Sequence, residues 1–260
     1  MKRTFLSYEK PLLTCMVQAD TPDRIKELVA KSLPEGAEAF GMQVCRLKPE
    51  YRCEAVYRDI FASTGDKPVY VTNYRSGSNQ GKDDTELAGE LMTLAGCGAT
   101  IIDIMGDYYD YVADRKDITN GELTMDPNAI RKQMELIESL HEKGAEVLMS
   151  SHVMKYKPAE SVIDIAMEHK KRGADISKIV TSATTMEEQI ENLRIASMLK
   201  KELDIPFLFL SGGPYCTISR RLGGAIGNCM TLCVYEHDEF STKAQPLLRD
   251  MKLIRDSLGF

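Results

Sequence analysis

The sequence predicts an α/β fold, a closed (β/α)8 TIM barrel forming a single domain over residues 1–260. Three observations carry this expectation. Eight short apolar runs of strand character alternate with helix-length segments, and connections of that length suit parallel strands rather than hairpins. Eight equivalent units favour closure over a doubly wound open sheet, because a closed sheet leaves no edge unpaired. No linker rich in Pro, Gly or Ser and no low-complexity segment divides the chain.

The first strand is read over Leu12 to Val17, and Thr21-Pro22-Asp23 then starts a helix with proline in its first turn. Ala37 to Cys45 is the second strand, followed by a helix from about Lys48-Pro49 to Ala62. Val69 to Tyr74 is the third, ending in the polar, glycine-bearing stretch Arg75 to Gly81 before a helix from about Asp83 to Ala95. The fourth strand is Ala99 to Met105. Gly106 to Thr124 has no clear period and carries Tyr108, Tyr109 and Tyr111, for which packing is favoured over a place at the mouth of a pocket. Asp126-Pro127 opens a helix that stops at Lys143-Gly144. Strands five to eight are read over Glu146 to Ser151, Ile176 to Ser182, Pro206 to Leu210 and Cys229 to Val234, and Ser241 to Leu258 is the closing helix.

Strands five and six each present a reactive side chain: His152 just beyond one, and Lys178 within the other. A lysine amine attacks a carbonyl only when neutral, so imine chemistry needs surroundings that depress its pKa; Ile176, Ile179 and Val180 supply apolar neighbours. A histidine nearby titrates close to neutrality and can move the protons. The bland alternative is a lysine snorkelling from a strand edge and a structural histidine.

Composition bounds the rest. The 43% hydrophobic and 28% charged content is that of a soluble globular protein, and a net charge of −6 gives no basic character for nucleic acid or an anionic membrane. The seven cysteines show no CxxC or zinc spacing and read as buried free thiols of a reducing compartment. The N-terminus carries charges with no apolar h-region behind them, and no apolar run approaches the roughly 20 residues that cross a bilayer. A cytoplasmic protein is expected. No Walker loop or GxGxxG follows a strand, and the four histidines (141, 152, 169 and 237) are dispersed, His141 and His169 on presumed outer helices.

Ser150-Ser151-His152, then Lys157-Pro158, then Gly173-Ala174-Asp175-Ile176-Ser177-Lys178-Ile179 resembles the core of the type I 3-dehydroquinate dehydratases. The resemblance implies a (β/α)8 barrel that dehydrates 3-dehydroquinate to 3-dehydroshikimate without cofactor or metal. It makes Lys178 the imine former and His152 the general acid/base. Tyr74-Arg75-Ser76 resembles a strand-end motif whose arginine contacts the substrate's carboxylate or hydroxyls. Ile218-Ser219-Arg220-Arg221-Leu222 resembles the carboxylate-binding segment, with Arg220 preferred to Arg221. Ser241 and Gln245 match a lid serine and glutamine, although Ser241 is equally suited to cap the closing helix.

Two strand ends depart from the family pattern. Where the resemblance expects Asp-x-Glu, with the glutamate orienting the histidine, this chain has Asp103-Ile104-Met105; Asp103 or Asp107 is the candidate replacement. Where it expects Glu-x-Arg, this chain has Gln43-Val44-Cys45-Arg46: either Gln43 and Cys45 take those places, or a one-residue shift brings Arg46 near. These departures motivate two alternatives, a divergent lysine-imine dehydratase or aldolase for another hydroxy-keto acid, and a catalytically weak binding homologue. The resemblance also suggests a homodimer.

Overall fold

The structure, a computed structural model, describes residues 4–6, 10–111 and 122–260. Eight parallel strands run β1 (Leu12–Val17), β2 (Ala39–Gln43), β3 (Val69–Thr72), β4 (Ile101–Met105), β5 (Glu146–His152), β6 (Ile176–Ser182), β7 (Phe207–Gly212) and β8 (Met230–Cys233). Between and after them come α1 (Pro22–Ser32), α2 (Glu54–Ala62), α3 (Asp84–Gly96), α4 (Pro127–Glu142), α5 (Ala159–Lys171), α6 (Met186–Glu202), α7 (Thr217–Ile226) and α8 (Leu248–Leu258). The strand order is β7-β6-β5-β4-β3-β2-β1-β8, a sheet rolled almost into a closed barrel.

Closure is completed by a side chain. The Cys229 N–H donates to Phe207 O (2.9 Å), and the buried Asn228 amide accepts from Phe209 N (2.9 Å) and donates to Phe209 O (3.1 Å). One asparagine thus satisfies the backbone groups that a longer β8 would have paired.

The period of two sorts each strand between two cores. Along β6, Ile176 and Val180 join Leu12, Met16, Ala39, Tyr70, Leu148, Leu208 and Met230 inside the barrel. Ile179 faces outward among Val162, Ile165, Ile195 and Phe209, beneath α5 and α6. Lys178 lies between Ile176 and Val180 in that alternation, so the pleat delivers it to the barrel interior. Phe5 is buried with the interior set, its N–H bonded to Glu146.

Helix starts follow local chemistry. Thr21, Asp126 and Thr185 cap α1, α4 and α6 by accepting from the N–H of Arg24, Ala129 and Glu188. Asp83 and Glu86 form a reciprocal capping box on α3.

Two expected helices begin later than the sequence suggested. After a short turn at Pro49–Tyr51, Arg52 leaves helical geometry and turns inward to bond Val44 O, Asn73 and Glu90, so α2 starts at Glu54. The closing helix starts at Leu248 rather than Ser241. Val234 N bonds Pro246 O and Leu248 N bonds Val234 O, which draws 246–248 back to the end of β8 in extended form. All seven thiols are free as expected, but not all are buried: Cys53 is exposed. No helix among the described residues is long and apolar enough to cross a membrane.

Candidate active site

Lys178 is 4% exposed, yet every proton of its amine has somewhere to go. Its Nζ donates to Tyr74 Oη (2.5 Å), Tyr70 Oη (3.0 Å) and Asp103 Oδ2 (3.2 Å). The two phenols in turn donate to Asp103 Oδ2 (2.5 Å from Tyr70, 2.6 Å from Tyr74), and Ser150 donates to Asp103 Oδ1 (2.6 Å). β3, β4, β5 and β6 each contribute, so the cluster exists only once adjacent strands are in register. Burial opposes ionisation of Asp103, but the Lys178 charge and the three donated hydrogen bonds outweigh it and hold the carboxyl below its ordinary pKa. Burial, followed by the Asp103 charge, pushes both tyrosines well up, so they remain phenols.

His152 closes β5 and sits edge-on to Tyr74, with ring centroids 5.3 Å apart and planes at 85°. Its Nδ1 meets Glu122 Oε2 at 2.6 Å, and its backbone N–H donates to the same oxygen at 3.2 Å. The carboxylate that orients the imidazole is therefore neither Asp103 nor Asp107. Asp103 is committed to Lys178 and the phenols, and Asp107 pairs with Arg75. Glu122 lies on the return limb of the segment between β4 and α4, and the sequence carries no signal for it, since nothing in its neighbours shows that this segment folds back over β5.

What holds Glu122 in place is legible in the packing. Ser151 Oγ donates to Glu122 O (2.9 Å), Thr124 N donates to Gly106 O (3.0 Å), and buried Arg172 donates to Thr124 O (2.7 Å), Gln133 Oε1 (2.9 Å) and Gly106 O (3.3 Å). A Cβ at Gly106 would stand 2.4 Å from Glu122 O, so only glycine permits this approach. Behind Ser151 lies His169, fully buried on the inward face of α5. Because Ser151 spends its proton on Glu122 O, it must accept from His169 Nε2 (2.9 Å), which leaves Nδ1 to accept from Ser177 (2.9 Å). Burial, with the Arg172 charge beside it, depresses His169 from 6.5 to about 3.

A cavity of about 260 Å3 opens above this cluster, lined by Lys178 and His152 together with Gln43, Arg220, Thr242 and Gln245. Arg220 enters from the first turns of α7; its Nε donates to Ser211 O (3.1 Å), and no carboxylate pairs with it among the described residues. Burial pulls its guanidinium below its ordinary pKa. Arg221 does not line the cavity, which separates the two adjacent arginines. Gln43 does line it, whereas Cys45 is buried beside Ser76 and Arg46 lies outside. Gln245 is held by Gln18 (3.4 Å) and the Thr242 N–H (3.3 Å); Gln18, at the end of β1, also lines the cavity and was not singled out in the sequence.

Two sequence candidates stand elsewhere. Arg75 faces a neighbouring cavity with Met105, Tyr111, Glu122 and His152 rather than the Lys178 cavity. Its guanidinium grips Asp84 through Nε (2.8 Å) and Nη2 (3.0 Å), meets Asp107 through Nη1 (2.7 Å), and stacks on Tyr111 at 4.2 Å. The single charge it could offer a substrate is already matched by two carboxylates. Ser241 bonds within its own turn, donating to Asp238 O and accepting from Asp238 N, and its neighbour Thr242 reaches the cavity instead. Of the loop tyrosines, Tyr108 is fully buried in the core and Tyr111 is half exposed over Arg75. The rest of that segment, 112–121, lies outside the described residues.

A larger cavity of about 690 Å3 lies at the opposite end of the strands, lined by Lys10, Glu38, Asp66 and Arg255 among others. Arg255 there is paired with Glu38, and barrel chemistry belongs at the C-terminal ends of the strands.

Comparison with known proteins bears on what this arrangement is. A family model described as type I 3-dehydroquinase matches residues 14–259. A 3-dehydroquinate dehydratase of Alkaliphilus oremlandii is 31% identical over 140 residues, 53% of each chain, and one of Shouchella clausii is 24% identical over 141 residues, 54% of this chain and 53% of that one. The matched stretches thus span about half the length of these curated relatives. Among solved structures, the 3-dehydroquinate dehydratase of Geobacillus kaustophilus superposes with a TM-score of 0.82 at 14% identity, covering 99% of this chain and 95% of that one. The type I enzyme of Clostridium difficile with covalently modified comenic acid gives 0.78 at 15%, covering 97% and 94%. At such identities the superpositions establish the fold.

Proposed function

We propose, from the premise that this chain belongs to the type I 3-dehydroquinase family, that it is a Schiff-base lyase dehydrating 3-dehydroquinate to 3-dehydroshikimate. The single observation that carries the reading is one small cavity in which the buried amine of Lys178, the imidazole of His152 and the carboxylate-free guanidinium of Arg220 converge. Arg220 takes the substrate carboxylate, where a desolvated guanidinium gains most from an anion. Gln43 and Gln245 bond the ring hydroxyls. Lys178 forms an iminium at the ketone, which acidifies the neighbouring C–H. His152, held by Glu122, removes that proton and returns it to the departing hydroxyl as water leaves.

Arg75, bound on both sides by carboxylates, braces the wall behind His152 through Asp107 and Asp84. Ser241 shapes the turn that brings Thr242 and Gln245 over the cavity. Purified protein should convert 3-dehydroquinate with the rise in ultraviolet absorbance of a conjugated enone, and borohydride added during turnover should leave the substrate skeleton on the Lys178 peptide. Lys178→Ala should lose both signals, in line with losses of about 10^6-fold on removing a covalent nucleophile. Turnover that survives Lys178→Ala would rule the reading out.

A further inference from the structure

We infer that Tyr74 is a catalytic acid–base for imine formation, a relay that carries a proton from the Lys178 amine to the Asp103 carboxylate and back to the departing carbonyl oxygen. The inference rests on the lyase reading above and assigns a step which the lysine and histidine leave open. Forming the iminium converts R–NH3+ and a ketone into R–NH+=C and water. One ammonium proton stays on nitrogen, and two leave with the oxygen. A buried ammonium cannot attack until the first of these has gone somewhere, and the nearest acceptors are its own hydrogen-bond partners.

The geometry names the route. Tyr74 Oη accepts from Lys178 Nζ at 2.5 Å and donates to Asp103 Oδ2 at 2.6 Å. Passing one proton along these bonds moves it from the ammonium to the phenol oxygen and the phenol's own proton to the carboxylate. Tyr74 is unchanged, the amine is neutral and Asp103 is protonated. The amine then adds to the carbonyl carbon while the C=O π bond breaks to an alkoxide, which takes the second departing proton from the nitrogen and becomes a hydroxyl. When that hydroxyl leaves, the reverse shift delivers the stored proton, water departs, and the restored Asp103 carboxylate balances the iminium.

Tyr70 makes the same two contacts, to Lys178 at 3.0 Å and Asp103 at 2.5 Å, but the two phenols are not equivalent. Tyr70 also lines the Lys178 cavity but is 0% exposed, within the interior layer. Tyr74 is half-buried, borders the outer cavity as well and presents its ring to His152, so of the two phenols it is the one open to a carbonyl drawn in between Lys178 and His152. The other charged or titratable groups that face Tyr74 are Asp103 from β4, His152 from β5 and Arg220 from α7 around the Lys178 cavity, and Arg75, Tyr111 and Glu122 around the outer one.

The test is the rate of borohydride-trappable imine formation with 3-dehydroquinate, read by mass on the Lys178 peptide across pH, in the full-length wild type, Tyr74→Phe and Tyr70→Phe. Tyr74→Phe should slow trapping by about 100-fold or more with KM little moved, the span of a positioned acid–base, while Tyr70→Phe stays within about threefold. As a second variant that keeps the ring and both hydrogen bonds, 3,5-difluorotyrosine at position 74 should fold and shift the alkaline limb of the trapping profile to lower pH. Equal trapping in wild type and Tyr74→Phe, or an unmoved limb in the fluorinated protein, overturns the relay while leaving the lyase reading intact. An equal loss in Tyr70→Phe overturns it too, since the effect would then be on the posture of Lys178. A wild type that traps no imine while it folds removes both.

Discussion

Glu122 shows most clearly what a single residue contributes. Its carboxylate takes both the ring Nδ1 and the backbone N–H of His152, fixing the tautomer that leaves Nε2 free toward the cavity. Glu122→Gln keeps the size and one acceptor but removes the charge that stabilises an imidazolium as it forms. Such supporting groups are worth about 10- to 100-fold. The expected outcome is a kcat lowered by that amount with KM nearly unchanged, because Glu122 lines the outer cavity and not the one lined by Lys178 and Arg220. A change in KM alone, with kcat intact, would show that Glu122 does not act through His152. Lys178, His152, Arg220, Gln43 and Gln245 line one cavity, and the sequence singled them out: Lys178 and His152 on the strands that carry them and through the family resemblance, the other three through that resemblance alone. Glu122 and Tyr74 were not readable as site residues. The first reaches the site through a chain excursion with no period, and the second was overshadowed by Arg75 beside it, whose guanidinium is spent on Asp84 and Asp107.

At the scale of elements, the decisive feature is how the segment after β4 is docked. Gly106 marks where that segment leaves the strand, and Arg172, from the end of α5, gathers Gly106 O and Thr124 O on one guanidinium. The sequence placed β4, α4 and β5 but could not reveal that an arginine at a helix C-cap would be turned inward and buried at 1% exposure. Here the prediction is one of coupling. Gly106→Ala puts a methyl only 2.4 Å from Glu122 O, so the backbone must yield and carry the carboxylate off His152. Its kcat should fall about as far as that of Glu122→Gln. In the double variant the two losses should not add, since both break the same contact. Steady-state kinetics on the four proteins decides it: additive losses would mean that Gly106 acts on something other than the Glu122–His152 pair.

Over the whole molecule, the sequence's repeating strand–helix rhythm was enough for the barrel, whereas the seam between β7 and β8 depends on one asparagine that no pattern distinguishes. The same global assembly makes stability answer to pH through a residue that takes no part in the chemistry. His169 is locked as neutral imidazole between Ser151 and Ser177, with a folded pKa of about 3 against 6.5 in the unfolded chain. Between those values the unfolded state binds a proton that the folded state refuses. Unfolding therefore becomes easier as pH falls from 6.5 toward 3, by about 1.4 kcal/mol per pH unit from this group once below its unfolded pKa. Above 6.5 both states are neutral and the contribution is flat. Urea unfolding from pH 7.5 to 4.5 should show this slope in the wild type, superposed on that of the carboxylates, and His169→Gln should be less stable at pH 7.5 but lose less on acidification. The difference between the two curves isolates the histidine, since the carboxylates are common to both. Parallel curves would mean that His169 accepts its proton in the folded protein and that the serine–imidazole–serine chain behind Glu122 is not closed to charge.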